Sequence, residues 1–282
     1  MTAYGRTATG SGSKGGDPLG AQDLTLLSLA WLLVFLIPVF YINRVLALTV
    51  NRALSVAIIR MCLQLGFVGL YLKFLFKFNS ALLNTAYLLI MIAIACQSIV
   101  RSSNLSLKQF FIPVFFSLFF PFCMILFFFN AVVVRLDNLF DAKYLIPIGG
   151  MLLGNCLKST IIGLDRFYSG IKKDEKTYQY MLSLTGNRIP ALKPYFKESI
   201  LAGITPTIAS MTTIGLVSLP GMMTGQILGG SLPLVAIKYQ IAIMFSIFYT
   251  EYFSTVLSLL FSSRWAFNDM DMLKKDIFKI RS

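Results

Sequence analysis

Histidine is absent from the 282 residues, and acidic side chains number only 12. The side chain that most often serves as a general base near neutral pH, and most often ligates metals, is therefore missing. Charge as a whole is scarce, at 13% of residues against about 25% in an ordinary soluble domain. Four cysteines in a chain of this length are too few for a disulfide scaffold. Disorder is excluded too, because 56% of the residues are hydrophobic. What charge remains leans one way: 25 Lys and Arg leave a net +13. A basic balance alone fits a nucleic-acid partner. Joined to long charge-free apolar runs it fits a membrane protein, and no nucleic-acid partner is expected.

Residues 24–43, 78–100, 109–134 and 199–237 carry no charge. A helix needs about 20 apolar residues to cross a bilayer core. The last run is nearly twice that, so it holds one helix plus a turn, a re-entrant piece or part of the next helix. Three further stretches carry isolated charges: Arg60, Lys158, and Lys238 with Glu251. Too little polar sequence remains to cover such runs in a soluble core. The reading is an all-α polytopic transmembrane helical bundle of about seven spans, at roughly 24–43, 53–72, 80–100, 110–133, 144–164, 201–219 and 236–262. Placing the 165–198 loop inside puts 16 Lys and Arg on the inner side, 6 on the outer side and 3 within spans. That bias sets the N-terminus outside and the C-terminus in the cytoplasm; Lys73 and Lys77 run against it.

The domain reading follows from these spans. Residues 1–22, rich in Gly, Ser and Thr, read as a flexible tail or an expression remnant. Residues 23–263 form the membrane domain, with its first span a retained anchor rather than a cleaved signal. Residues 264–282 form a basic cytoplasmic tail. No segment is long enough for an ATP site, and no G-x-x-x-x-G-K-[ST] run occurs. Whatever energy source drives the protein is not expected to be encoded in this chain.

Inside the 165–198 loop, Asp174 and Glu175 suit a helix start, where negative charge opposes the dipole. Tyr178, Met181, Leu182 and Thr185 follow on one face, and Gly186-Asn187 is a stop. Pro190 and Pro194 are expected to break and redirect the chain. Such a surface helix either docks into a partner groove or lies on the lipid interface.

Between Thr205 and Gln240, Pro206, Pro220 and Pro233 limit continuous helix. Gly215, Gly221, Gly225, Gly229 and Gly230 permit broken backbone, which survives at membrane depth only where protein buries it or a cavity solvates it. Residues 218–230 are therefore a candidate pathway or gate: Ser218, Pro220, Gly221, Met222, Met223, Thr224, Gly225 and Gln226, with Asn155 from an earlier span. Met211, Met222 and Met223 either offer soft thioether donors or pack adaptably against a moving neighbour. Arg60, Lys158 and Glu251 each cost about 2.5–3.5 kcal/mol at membrane depth. Glu251, the sole acid within a span, is expected to pair with Arg60 or Lys158. Met222, Met223 and Glu251 are the metal-contact candidates. Cys62, Cys96, Cys123 and Cys156 all fall in spans and read as small buried hydrophobes rather than a shared metal site.

The run SLPGMMTGQILGG at 218–230, with AIKYQI at 236–241, resembles the signature of the FetB-type permeases. IPIGGMLLGN at 146–155, and Arg60 with Gln64, Leu65 and Gly69, are similar to the same family, so the likeness covers roughly 24–262. Members are membrane subunits of ABC transporters linked to iron export, with plant relatives linked to aluminium tolerance. The resemblance implies a permease homodimer in a bacterial inner membrane, bound to two cytosolic ABC ATPase subunits that hold ATP-Mg. No cofactor is expected in this chain, and no enzymatic activity of its own. The 174–187 helix would be the coupling helix, through Asp174, Glu175, Tyr178, Met181, Leu182, Leu184 and Gly186. The chain departs from the pattern at Leu184-Thr185-Gly186, where the glycine is displaced, and at Cys156-Leu157-Lys158 and Thr207-Ile208-Ala209, where amide positions are lost. It departs again at Glu251, where small or apolar residues are usual.

Three function classes follow. The first is an exporter of iron, another metal, a metal chelate or a small polar metabolite such as a nucleotide sugar. The second is a lipid-acting membrane enzyme, for which Asp165 with Arg166 is the nearest candidate pair. The third is a scaffold or receptor subunit without transport.

Overall fold

A backbone in lipid satisfies its polar groups most simply as helix. All the regular structure among the described residues is helical. The structure is a computed structural model that describes residues 25–278. The whole stretch 1–22, and residues 279–282 of the expected basic tail, therefore lie outside the described residues. In chain order, α1 (Leu26–Trp31) and α2 (Leu36–Val45) are joined by a 3-10 turn, and α3 (Asn51–Phe78) and α4 (Ala81–Ser102) follow. Next come α5 (Leu107–Phe128), which closes in a π turn at Phe129–Val133, α6 (Ala142–Lys173), α7 (Glu175–Thr185) and α8 (Arg188–Thr213). The chain continues through α9 (Gly221–Leu228) and α10 (Pro233–Ala266).

Six helical stretches among the described residues are long and apolar enough to cross a membrane: Ser28–Val45, α3, α4, Leu107–Val133, α6 and α10. The span expected at 201–219 is not one of them. The first half of α8 carries Arg188, Lys193, Lys197 and Glu198. The helix then stops at Thr213, and Gly215 at φ +84° takes the chain through a turn. Its apolar part, residues 199–213, is about 22 Å long at about 1.5 Å per residue. A bilayer core is about 30 Å thick.

The prolines also correct the expectation. Pro190 falls in the first turn of α8, where a backbone N–H has no helical acceptor to lose. Pro194 and Pro206 lie inside the helix and do not break it. Each forfeits a backbone bond, which packing along α6 makes tolerable. Pro220 and Pro233 behave as expected, one capping α9 and the other opening α10.

The described residues sort into two compact units, one of residues 25–69 and 220–237, the other of 70–219 and 238–278. In the first, the Asn43 amide donates to Asn51 Oδ1 at 2.8 Å and ties α2 to α3 across a short turn. Most apolar side chains of this unit are exposed, including Phe35, Ile59, Phe67 and Leu234, as lipid-facing helices require.

In the second unit α6 is central. It packs most extensively on α8 and α4, and also on α5. Its buried positions, among them Leu145, Gly149, Leu152, Cys156, Ser159, Gly163, Phe167 and Ile171, recur at three- and four-residue spacing. At one end, amides lock the loops. The buried Asn84 side chain donates to the Phe140 carbonyl at 2.7 Å and to Asn79 Oδ1 at 3.3 Å. Asn79 Oδ1 also accepts from the Ala142 N–H at 2.9 Å. Asn79 itself sits at φ +38°, a region Asn tolerates better than most residues. An Asn84→Ala variant leaves the Phe140 carbonyl without this donor and should lose about 1–3 kcal/mol. Thermal unfolding in detergent checks this, and an unchanged midpoint would contradict the lock.

Candidate functional site

α10 is apolar by composition yet carries Ser246, Thr250, Glu251, Ser254, Thr255, Ser258 and Ser262, all buried. A step of four along a helix returns to nearly the same face, so 246, 250, 254, 258 and 262 form one polar stripe. Hydroxyls in an apolar interior need partners, and most of these have one. Ser246 and Thr250 donate to the carbonyls of Ala242 and Ser246, at 2.9 and 2.6 Å. Ser258 shares a 2.5 Å hydrogen bond with Ser117 of α5. Thr255 donates to Ser159 of α6 at 3.3 Å, and Tyr168 of α6 donates to Ser262 at 2.8 Å.

The seam closes because two glycines remove side chains from it. A Cβ on Gly163 would stand 2.7 Å from Thr255 Cγ2, and one on Gly203 would stand 2.9 Å from the Ser159 carbonyl oxygen. These are the closest glycine approaches in the second unit.

Glu251 lies beside the stripe, on the neighbouring row with Thr255. It is 2% exposed. Its polar neighbours are the Thr207 hydroxyl of α8 and the Lys158 ammonium of α6. The Cys156 thiol has Ser254 and Glu251 as its own polar neighbours. The expected ion pair with Lys158 is not formed: the ion pairs among the described residues are Arg166–Glu198 and Arg188–Asp271. Lys158 is exposed, and its long stem carries the charge outward rather than onto the carboxylate. Arg60 is an exposed residue of α3 in the first unit. Glu251 Oε2 and Ser254 Oγ, like Thr160 Oγ1 and Ser199 Oγ, are buried and have no hydrogen-bond partner. A carboxylate oxygen and a hydroxyl left without partners on one stretch of a helix in an apolar interior can each accept a cation or a polar donor.

Sequence reasoning singled out Glu251 but passed over Ser254 and the hydroxyl stripe, and noted Thr207 only within a motif that had lost an amide. The four-residue spacing of Ser and Thr from 246 to 262 was the available signal. Asn155 is partly spent, since its Nδ2 donates to the Met151 carbonyl of its own helix at 2.9 Å. The cysteines do not gather. Cys96 and Cys156 are buried, Cys123 is half-buried and Cys62 is exposed. No group of three or more His, Cys, Asp or Glu suited to a metal is found among the described residues.

The gate candidates lie on a twice-broken stretch. After Thr213, the Gly215 N–H donates to the Ser218 carbonyl at 2.9 Å, which closes a tight turn. Pro220 caps α9, which carries Gly221, Met222, Met223, Thr224, Gly225 and Gln226. The helix ends at Gly229-Gly230, with Gly230 at φ +91° and the Ser231 N–H bonded to the Gln226 carbonyl at 2.9 Å. Met223 is buried, Met222 half-buried and Ser218 exposed. Gln226 Oε1 is buried without a partner. The long charge-free run thus resolves into a helix end, a turn, a short helix and the start of the next helix.

α7 begins after Asp174 and ends at Gly186 in the left-handed region (φ +61°). Asp174, Glu175, Leu184 and Gly186 are exposed, Met181 and Leu182 are half-buried, and Tyr180 and Leu184 offer apolar surface outward. Tyr178 points the other way. It is fully buried beside Tyr195 and Phe267, and its hydroxyl donates to the Asp271 carbonyl at 2.6 Å. Burial, with the Asp271 charge nearby, pushes the Tyr178 hydroxyl up to about 12, so it remains a donor at neutral pH. Asp165 and Arg166 are exposed, and Arg166 is held by Glu198 at 2.9 Å, an exposed pair worth little.

Comparison with known proteins adds the following. The sequence profile of a family described as an uncharacterised protein family, UPF0014, matches residues 26–267. The chain is 29% identical over 223 residues to the UPF0014 membrane protein YjkA of Bacillus subtilis, covering 78% of this chain and 86% of the relative. It is 34% identical over 197 residues to the UPF0014 membrane protein slr1647 of Synechocystis, covering 70% and 76%. It is 28% identical over 256 residues to a protein of Escherichia coli named probable iron export permease protein FetB, covering 90% and 97%. No solved structure matches significantly.

Proposed function

This chain belongs to the UPF0014 family, and on that premise we propose that it is the membrane-spanning permease subunit of an ATP-driven exporter. Its cargo is a free metal cation, iron among them. The protein is a membrane protein with six strongly apolar helices among its described residues. In this reading α8 with the turn that follows completes a seventh span. The N-terminus then lies outside, and the C-terminus and α7 face the cytoplasm of a bacterial inner membrane. A homodimer binds two separate ATPase subunits, which hold ATP-Mg, while this chain performs no covalent chemistry. α7 is the coupling helix, offering Asp174, Glu175, Tyr180 and Leu184 to the ATPase.

The observation that carries the reading is the buried Glu251 carboxylate, open at Oε2 and not neutralised by an ion pair. An acid kept at membrane depth marks a cargo or ion route more often than a structural site. The relative named a probable iron export permease supports the metal. ATP binding would bring the two ATPases together, draw the two α7 helices with them and rock the spans between inward- and outward-open states. In this reading the broken stretch 214–230 gates that motion.

A second reading is favoured by the donor set itself. Around Glu251 and its neighbour Cys156 the structure offers the hydroxyls of Thr207 and Ser254 but no second carboxylate among the described residues, which suits a bulkier polar cargo or a chelate. The decisive experiment is reconstitution of this permease with its ATPase, followed by ATPase measurement against a panel of metals, metal chelates and nucleotide sugars. Stimulation by Fe²⁺ or another free metal is expected. Stimulation by chelates or nucleotide sugars alone selects the second reading, and an intact complex that nothing stimulates overturns transport.

A further inference from the structure

We propose that residues 266–278 form a clasp that sets the position of α7 and couples it to α10, with Asp271 as the positioning residue. The inference rests on reading α7 as the coupling helix. The segment leaves α10 directly and folds on itself. Phe267 bridges Leu273, the Lys274 N–H donates to the Ala266 carbonyl at 3.0 Å, and the Asn268 side chain accepts from the N–H groups of Met270 and Met272 at 3.1 and 2.8 Å. These bonds hold Asp271 at the tip of the loop, at φ +55°.

The tip meets both sides of the α7–α8 corner. The Asp271 carbonyl accepts the Tyr178 hydroxyl of α7, and its carboxylate pairs with Arg188, the first residue of α8, at 3.2 Å. The same guanidinium lies 5.3 Å from the Phe267 ring centroid. Beyond the tip, the chain is anchored a second time. Ile277 is fully buried, its carbonyl accepts the Ser106 N–H at 2.8 Å, and Phe278 bridges Leu105. Lys172, near the end of α6, stacks on Phe278 at 4.5 Å, and Gln109 of α5 donates to Asp276 at 3.1 Å.

α7 is an eleven-residue helix with one fully buried side chain, Tyr178. A helix that short has little stability of its own, so its position depends on what holds that side chain. The clasp accepts the hydrogen bond from the Tyr178 hydroxyl and is itself the chain continuation of α10, the helix that carries Glu251. A push on α7 therefore reaches α10 through Asp271 as well as through α6 and α8.

The test uses the full-length permease in lipid nanodiscs. Asp271→Asn removes the charge while keeping a residue that tolerates the loop-tip backbone, and Arg188→Gln removes the same pair from its other side. Each is expected to speed amide exchange across 175–185 about tenfold. The double variant should exchange no faster than either single one. In the complex with the ATPase, Asp271→Asn should capture as much ATPase as the parent while cargo-stimulated hydrolysis falls about tenfold. Unchanged exchange in both variants overturns the clasp, and loosened α7 with undiminished stimulation overturns its role in coupling. Were the parent permease to capture no ATPase, the coupling-helix reading would fail by itself, and the exchange experiment would still decide the clasp.

Discussion

A Glu251→Gln permease is expected to fold at least as well as the parent and to lose its cargo response. The substitution keeps shape and volume and removes only the charge. In the parent that charge is buried beside Thr207, Cys156 and Ser254 without an ion pair to offset it. Desolvating a charge costs more than desolvating an amide, so the unfolding midpoint in detergent should hold or rise. A cargo cation loses a charge-assisted contact worth about 1.5–3 kcal/mol. The concentration needed for half-maximal ATPase stimulation should therefore rise on the order of tenfold to a hundredfold. Glu251→Asp keeps the charge on a shorter arm and should fall between the two. Normal stimulation with normal stability in the Gln variant would remove Glu251 from the pathway. A large loss of stability would make it a structural group instead.

The second large effect is expected at the α6–α8–α10 seam. A Cβ on Gly203 meets the Ser159 carbonyl oxygen at 2.9 Å, and that oxygen belongs to the backbone of a long helix that cannot turn aside. Gly203→Ala should cost about 1–3 kcal/mol through overpacking, and Gly203→Val more, enough to cut the yield of folded protein. Gly163 differs, because the atom in its way is the Thr255 methyl at 2.7 Å. Thr255→Ser deletes that methyl and keeps the hydroxyl that donates to Ser159. It should therefore rescue Gly163→Ala but leave Gly203→Ala largely unrelieved. Unfolding midpoints of these single and double variants decide the matter, and a Gly203→Ala protein as stable as the parent would refute the close approach.

Features that depend on a few neighbouring residues were legible from the chain alone. The Asp174 start and Gly186 stop of α7, the break before α9 at Pro220 and the start of α10 at Pro233 all follow from local backbone chemistry. So do the apolar helices, since charge-free runs leave the backbone little alternative in lipid. Pro194 and Pro206 misled for the complementary reason. A proline's cost is local, but the packing along α6 that offsets it is not. The 201–219 stretch was read as helix too far, because hydropathy sums side chains and does not register that α8 stops at Thr213 and Gly215 turns the chain. The candidate site was half legible: an acid in an apolar span declares itself, whereas its neighbours come from α6 and α8, some 90 and 40 residues away in sequence.

The sequence by itself determined that this is a helical membrane protein, where its long helices run, and that one acid sits among them at a cost. The lack of histidine and the scarcity of charge were enough for that, because transfer to lipid is a property of each segment in isolation. Only the tertiary structure decided that Glu251 stays unpaired, that Tyr178 faces inward to Asp271 rather than outward to a partner, and that residues 266–278 fold back on the body of the protein. Each of these is a contact between segments far apart in the chain. Such contacts are selected by how closely Gly163 and Gly203 let the helices approach, a distance that no single segment specifies.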